Sequence, residues 1–139
     1  MDIGHLVQQA VAPVFLLSGV GVTLGVLTTR LARIVDRARY LEDKLENRFG
    51  RPDSLNEQLS VLAKRARYIN TAITLSTCSA LCVALVVVLL FANAFFTTGM
   101  AAAIAILFVA AMFCLTGAFL AFLIEVRIAM DALRIGLPM

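Results

Sequence analysis

Three uninterrupted apolar stretches dominate this chain, at about 7–29, 69–96 and 100–124. Each exceeds the roughly 20 residues with which a helix crosses a hydrocarbon core about 30 Å thick, and none contains Asp, Glu, Lys or Arg. The runs are continuous rather than alternating, which predicts helices and excludes barrel strands. Only Thr97, Thr98 and Gly99 separate the second run from the third. Those two are therefore expected to form a tight antiparallel pair.

The segment between the first two runs has a pattern of its own. Leu31, Ile34, Ala38, Leu41 and Leu45 recur three and four apart, as do Leu55, Leu59, Leu62, Ala66, Ile69 and Ile73; this is the seam of packed helices. Gly50-Arg51-Pro52-Asp53 breaks the pattern, and Ser54 with Glu57 fits a capping box that opens a helix. Folding back about Pro52 sets Leu45 against Leu59, Leu41 against Leu62, Ala38 against Ala66, Ile34 against Ile69 and Leu31 against Ile73. Every layer is apolar against apolar. The expected architecture is an all-α integral membrane protein, a single membrane domain over 1–139, with three transmembrane helices and an antiparallel helical hairpin over 30–68 that extends spans 1 and 2.

Composition agrees with lipid as the solvent. Hydrophobic residues make up 61% and the mean hydropathy is +0.94, more apolar than a soluble fold of this size could bury. The net charge is +3 and the isoelectric point about 9.1, but the placement of charge says more. Ten of the twelve Lys and Arg residues lie between Arg30 and Arg67, and the others are Arg127 and Arg134. By the positive-inside rule the hairpin and the C-terminus are cytoplasmic and the N-terminus is outside. The start Met1-Asp2-Ile3-Gly4-His5 lacks the basic n-region of a cleavable signal, so the first span is expected to be retained. In a bacterium the membrane is then the inner one, since the outer membrane takes barrels.

Ala12-Pro13-Val14-Phe15-Leu16-Leu17-Ser18-Gly19, Arg30-Leu31-Ala32-Arg33-Ile34-Val35-Asp36-Arg37-Ala38-Arg39 and Lys64-Arg65-Ala66-Arg67 leading into Asn70-Thr71-Ala72-Ile73 resemble a family of small bacterial membrane proteins catalogued as a domain of unknown function (family number 2721). The likeness covers nearly the whole chain. It implies a bacterial three-span protein and brings no assigned activity or site residues.

Three sets of residues stand out as candidate sites. Gly21, Gly25 and Thr29, with Ser18 one turn earlier, form a small-residue ridge on which membrane helices pack closely; it meets either the other spans or a second copy. Asn70, Thr74 and Thr77 form a polar row in the second span. Such hydroxyls either bond back to their own helix or, shared by several subunits, line a watery path. Arg30, Arg33, Arg37, Arg39, Lys64, Arg65 and Arg67 form a basic collar beside the membrane, either a topology signal or a site for anions or anionic lipid headgroups. The hairpin tip is mildly acidic, through Glu42, Asp43, Glu46, Asp53 and Glu57.

Other chemistry is missing. Cys78, Cys82 and Cys114 lie within spans and read as packing residues, with Cys82 and Cys114 expected at one depth if the chain folds about Thr98. The single His5 is remote from them, so no metal or other cofactor is expected. No ionisable group falls within a span, which speaks against proton-coupled transport; Glu125, Arg127 and Asp131 at the inner end of the third span are the nearest candidates and read rather as interfacial. No nucleophile has an activating base, which speaks against an enzyme, and no nucleic-acid partner is expected. The function this supports is a self-associating inner-membrane homo-oligomer, a candidate ion channel with a basic cytoplasmic mouth. The alternative is an accessory or scaffold subunit whose hairpin tip docks a protein partner.

Overall fold

The computed structural model describes residues 3–47, 52–96 and 99–136, apart from the side chains of Pro52 and 132–136. The fold is all-α, with α1 at Ile3–Glu46, α2 at Pro52–Phe96 and α3 at Ala101–Gly136. Each is apolar and long enough to cross a membrane. At 1.5 Å per residue, the 44 residues of α1 and 45 of α2 measure about 66 Å, roughly twice a hydrocarbon core. Each therefore carries both an apolar run and an arm of the expected hairpin without a break. Pro13 is buried inside α1, which continues through it.

Buried positions recur every seven residues along all three helices. In α1 they are Leu6, Pro13, Val20, Leu27, Ile34 and Leu41; in α2, Leu55, Leu62, Ile69, Ser76 and Val83; in α3, Ala111, Ala118 and Glu125. A seven-residue repeat is the seam of helices that coil around one another. The opposite faces are apolar too. Only 22% of the most apolar window of each helix is buried, and Phe15, Leu81, Ile106 and Phe113 point outward. A surface of that kind is stable in hydrocarbon and not in water.

The chain forms two compact units, Met1–Gly25 with Thr74–Ala118 and Val26–Ile73 with Phe119–Met139. In the first, the Ser79 hydroxyl donates to the backbone carbonyl of Ala111 over 2.9 Å. Gly117 lies against Leu75, where a Cβ would stand 3.1 Å from Cδ1. Small residues thus bring α2 and α3 together, as expected where helices associate by close packing. Met100 N–H donates to Asn93 Oδ1 over 3.3 Å. Gly99 has φ of 64°, a left-handed conformation that glycine adopts without steric cost.

These contacts correct the expected register of α2 and α3. Folding about Thr98 would set Ser79 opposite Gly117, but it meets Ala111, because α3 starts near the level of Asn93 rather than beyond Phe96. Cys82 and Cys114 are consequently out of step by about 6 to 9 Å along the helices, on the Leu75–Gly117 and Ser79–Ala111 contacts. All three cysteines are free.

The second unit holds the predicted seam in one cluster. Leu27, Ile34, Leu41, Leu55, Leu62, Ile69, Ala72 and Ala121 form its buried part; Leu31, Ala38, Leu45, Leu59, Ala66, Ile73 and Phe122 pack against it. All ten partners of the five apolar layers are among these residues. Helix α2 begins at Pro52, so Ser54 lies inside the helix and does not cap it. Its hydroxyl accepts from Gln58 Nε2 at 3.4 Å instead. Proline at a first helical position is pre-set in φ and starts the helix early. The expected breaker at Gly50 and Arg51, the loop at Thr97 and Thr98, and the side chain of Arg134 fall outside the described residues.

Candidate functional site

Glu125 lies seven residues beyond Ala118 on the buried seam of α3, where the repeat presents a carboxylate in place of a small side chain. It is 0% exposed. Arg30 follows Leu27 by three residues and Arg65 follows Leu62 by three, so both flank the seams of their own helices. The three meet within the second unit. Arg30 donates from Nε at 3.1 Å and Nη2 at 2.8 Å to Glu125 Oε2, and Arg65 donates from Nε at 3.0 Å to Oε1. The Arg30 guanidinium also lies 5.2 Å from the ring centroid of Phe122, one helical turn before Glu125.

A carboxylate withdrawn from water costs several kcal/mol, which only good geometry and satisfied lone pairs offset. Here each oxygen has its own guanidinium, and the bonds are charge-assisted. The arginine side chains remain 32% and 23% exposed, so solvent reaches part of each while Glu125 is sealed. One carboxylate and two guanidiniums leave a local formal charge of +1. The cluster ties α1, α2 and α3 at a single point.

Glu125, Arg127 and Asp131 share the end of the third apolar run, and packing within the chain separates them without bearing on their interfacial level. Arg127 and Asp131 are exposed, whereas Glu125 is buried. Its seven-residue spacing from Ala111 and Ala118 is the signal that singles it out.

The other candidates lie where the single chain leaves them open. Ser18, Gly21, Gly25 and Thr29 are exposed, and a Cβ built on Gly19, Gly21 or Gly25 would meet nothing within 4 Å. The small-residue ridge is thus separate from the seam that packs within the chain. Asn70, Thr74 and Thr77 are exposed as well, each engaged in an interaction within the chain. Thr71, Thr23 and Thr116 donate to carbonyls four residues back, the local bond expected of hydroxyls in apolar helices. Ser79 instead bonds across helices, and the buried Ser76 hydroxyl has no partner among the described residues. Of the basic collar, Arg30 and Arg65 are held by Glu125, while Arg33, Arg37, Arg39, Lys64 and Arg67 are exposed. Tyr40 is exposed with Arg37 and Lys44 at 5.3 and 4.7 Å from its ring centroid, and Tyr68 is half-buried. No group of three or more metal-ligating side chains occurs among the described residues.

The chain is all-α, with three helices each long and apolar enough to cross a membrane, which suggests a multi-pass membrane protein. Residues 10–135 match the model of the DUF2721 family, proteins of unknown function, and the chain belongs to that family. No curated protein and no solved structure matches it.

Proposed function

We propose that this protein is a non-enzymatic component of the bacterial inner membrane that self-associates through α1 and forms an oligomeric ion-conducting path. Residues 30–68 and the C-terminus then face the cytoplasm and the N-terminus faces outward, on the strength of the basic residues between Arg30 and Arg67. The observation that carries the reading is the open ridge at Ser18, Gly21 and Gly25. Small residues exposed on a membrane helix let a second helix approach closely. Asn70, Thr74 and Thr77, each engaged within the chain, lie on the exposed side of α2, where neighbouring copies would bring their polar groups to one path. The exposed collar residues would stand at the cytoplasmic mouth and draw anionic lipids.

The subunit count in nanodiscs tests self-association, and planar-bilayer recording tests conduction. A strictly monomeric or electrically silent protein removes the channel. With the native cysteines replaced by alanine, Thr77→Cys should react with a water-soluble thiosulfonate in membranes and Ile106→Cys, exposed on α3, should not; equal reactivity counts against a lined path.

The exposed Glu42, Asp43 and Glu46 near the far end of α1 support a second reading, an accessory subunit that docks a protein partner. Charge reversal at these three residues should then abolish co-purification of that partner and leave conductance intact.

A further inference from the structure

We infer that Arg30 and Arg65, aimed by Glu125, form a binding site for a phosphate oxyanion, the chemistry shared by an anionic phospholipid headgroup and free inorganic phosphate. The site rests on the membrane reading above, but on neither self-association nor conduction. Arg30 engages the carboxylate through Nε and Nη2, whereas Arg65 engages it through Nε. The Nη1 and Nη2 atoms of Arg65 are not part of that pairing. A guanidinium carries five N–H donors in a rigid plane, so fixing one edge on a carboxylate directs the remaining donors away from it.

Glu125 is sealed from the surface, and the two arginines are not. With Nε of Arg65 fixed on a carboxylate that a ligand cannot reach, its Nη donors remain for an anion that approaches the part-exposed side chain. Stacking over Phe122 adds a second restraint on Arg30. Guanidiniums held this way lose little freedom on binding, and the cluster keeps a formal charge of +1 for an anion. The level is also suitable. Arg30 and Glu125 are the first charges beyond the apolar runs of α1 and α3, and Arg65 is the second ahead of that of α2, which is where headgroup phosphates meet a spanning helix. Glu125 touches no ligand here and is a positioning residue.

The full-length protein, reconstituted in phosphatidylcholine vesicles containing a small fraction of spin-labelled phosphatidylglycerol, reports its preference for the anionic lipid. Arg65→Gln should lower that preference by more than the roughly five-fold worth of one juxtamembrane arginine, and the exposed Arg33→Gln by no more than that. Glu125→Gln separates a built site from a diffuse collar. It raises the net charge by one, so a diffuse collar would bind more phosphatidylglycerol, whereas a site that needs the carboxylate to aim its arginines binds less. An equal or larger preference in a Glu125→Gln variant that keeps its helical circular dichroism overturns the inference, as does equality of Arg65→Gln and Arg33→Gln. Should Glu125→Gln fail to reconstitute, the Arg65 and Arg33 comparison decides alone. Displacement of the labelled lipid by millimolar inorganic phosphate assigns the site to soluble phosphate, and indifference assigns it to the headgroup. A protein that never enters vesicles refutes the membrane reading instead; loss of inorganic phosphate binding in Arg65→Gln then decides the site.

Discussion

Arg65 Nε lies 3.0 Å from Glu125 Oε1 although 60 residues separate them in the chain. With Arg30 on the other oxygen, the carboxylate holds three helices at a point the hydrophobic seam alone would leave sealed but chemically mute. Glu125→Ala should remove the shared counter-charge and destabilise the protein by about 2–3 kcal/mol, below the full cost of a broken buried pair because both arginines reach solvent. The triple substitution Arg30→Met, Arg65→Met, Glu125→Leu should recover most of that loss, since apolar packing can replace a buried ion cluster. Unfolding equilibria in mixed micelles measure both; a triple variant no more stable than Glu125→Ala argues against the electrostatic account.

Two serines three residues apart on α2 should respond in opposite directions. Ser79→Ala loses the bond to the Ala111 carbonyl and should cost about 0.6 kcal/mol, the average for hydrogen bonds between membrane helices. Ser76→Ala removes a buried hydroxyl without a partner among the described residues and should be neutral or stabilise by up to about 1 kcal/mol. The same unfolding assay reads both, and a marked loss at Ser76 would show that its hydroxyl is satisfied.

Glycines on α1 and α3 should separate association from folding. Gly117→Val places a branched side chain against Leu75 and should cost about 1–3 kcal/mol, as overpacking does. Gly21→Leu meets open space in the single chain, so monomer stability should hold while the oligomer weakens. Thermal melts and subunit counts together distinguish the two. If Gly21→Leu lowers the melting temperature as much as Gly117→Val, the ridge is internal after all.

Leu41 is 2% exposed within the cluster of the second unit. Leu41→Ala should cost about 2–5 kcal/mol locally, whereas Val35→Ala on the exposed face should change stability by less than about 0.5 kcal/mol. Limited proteolysis of the reconstituted protein should cut within residues 30–47 and 53–68 faster in the first variant alone.

The shifted register of α2 and α3 predicts a pattern of crosslinks. With the native cysteines replaced, Ser79→Cys with Ala111→Cys should oxidise to an intramolecular disulfide, because their backbones are adjacent. The native Cys82 and Cys114 pair should not. Mass spectrometry after mild oxidation reads the difference, and a native Cys82 to Cys114 bond would restore folding about Thr98.

Apolar run lengths, the breaker at Pro52 and the three-and-four spacing from Leu31 to Ile73 were enough to derive three helices and the residues that share the second unit's core. These are local properties, carried by side-chain chemistry and helical period. Where Glu125 goes, which arginines it takes from the collar, and where α3 starts relative to α2 depend on how helices distant in sequence lie side by side. A charge at the end of an apolar run carries, in one dimension, no sign of whether it faces the surface or another helix. Only packing, by sealing the seam of α3 and presenting two guanidiniums across it, makes burial of that carboxylate physically tolerable.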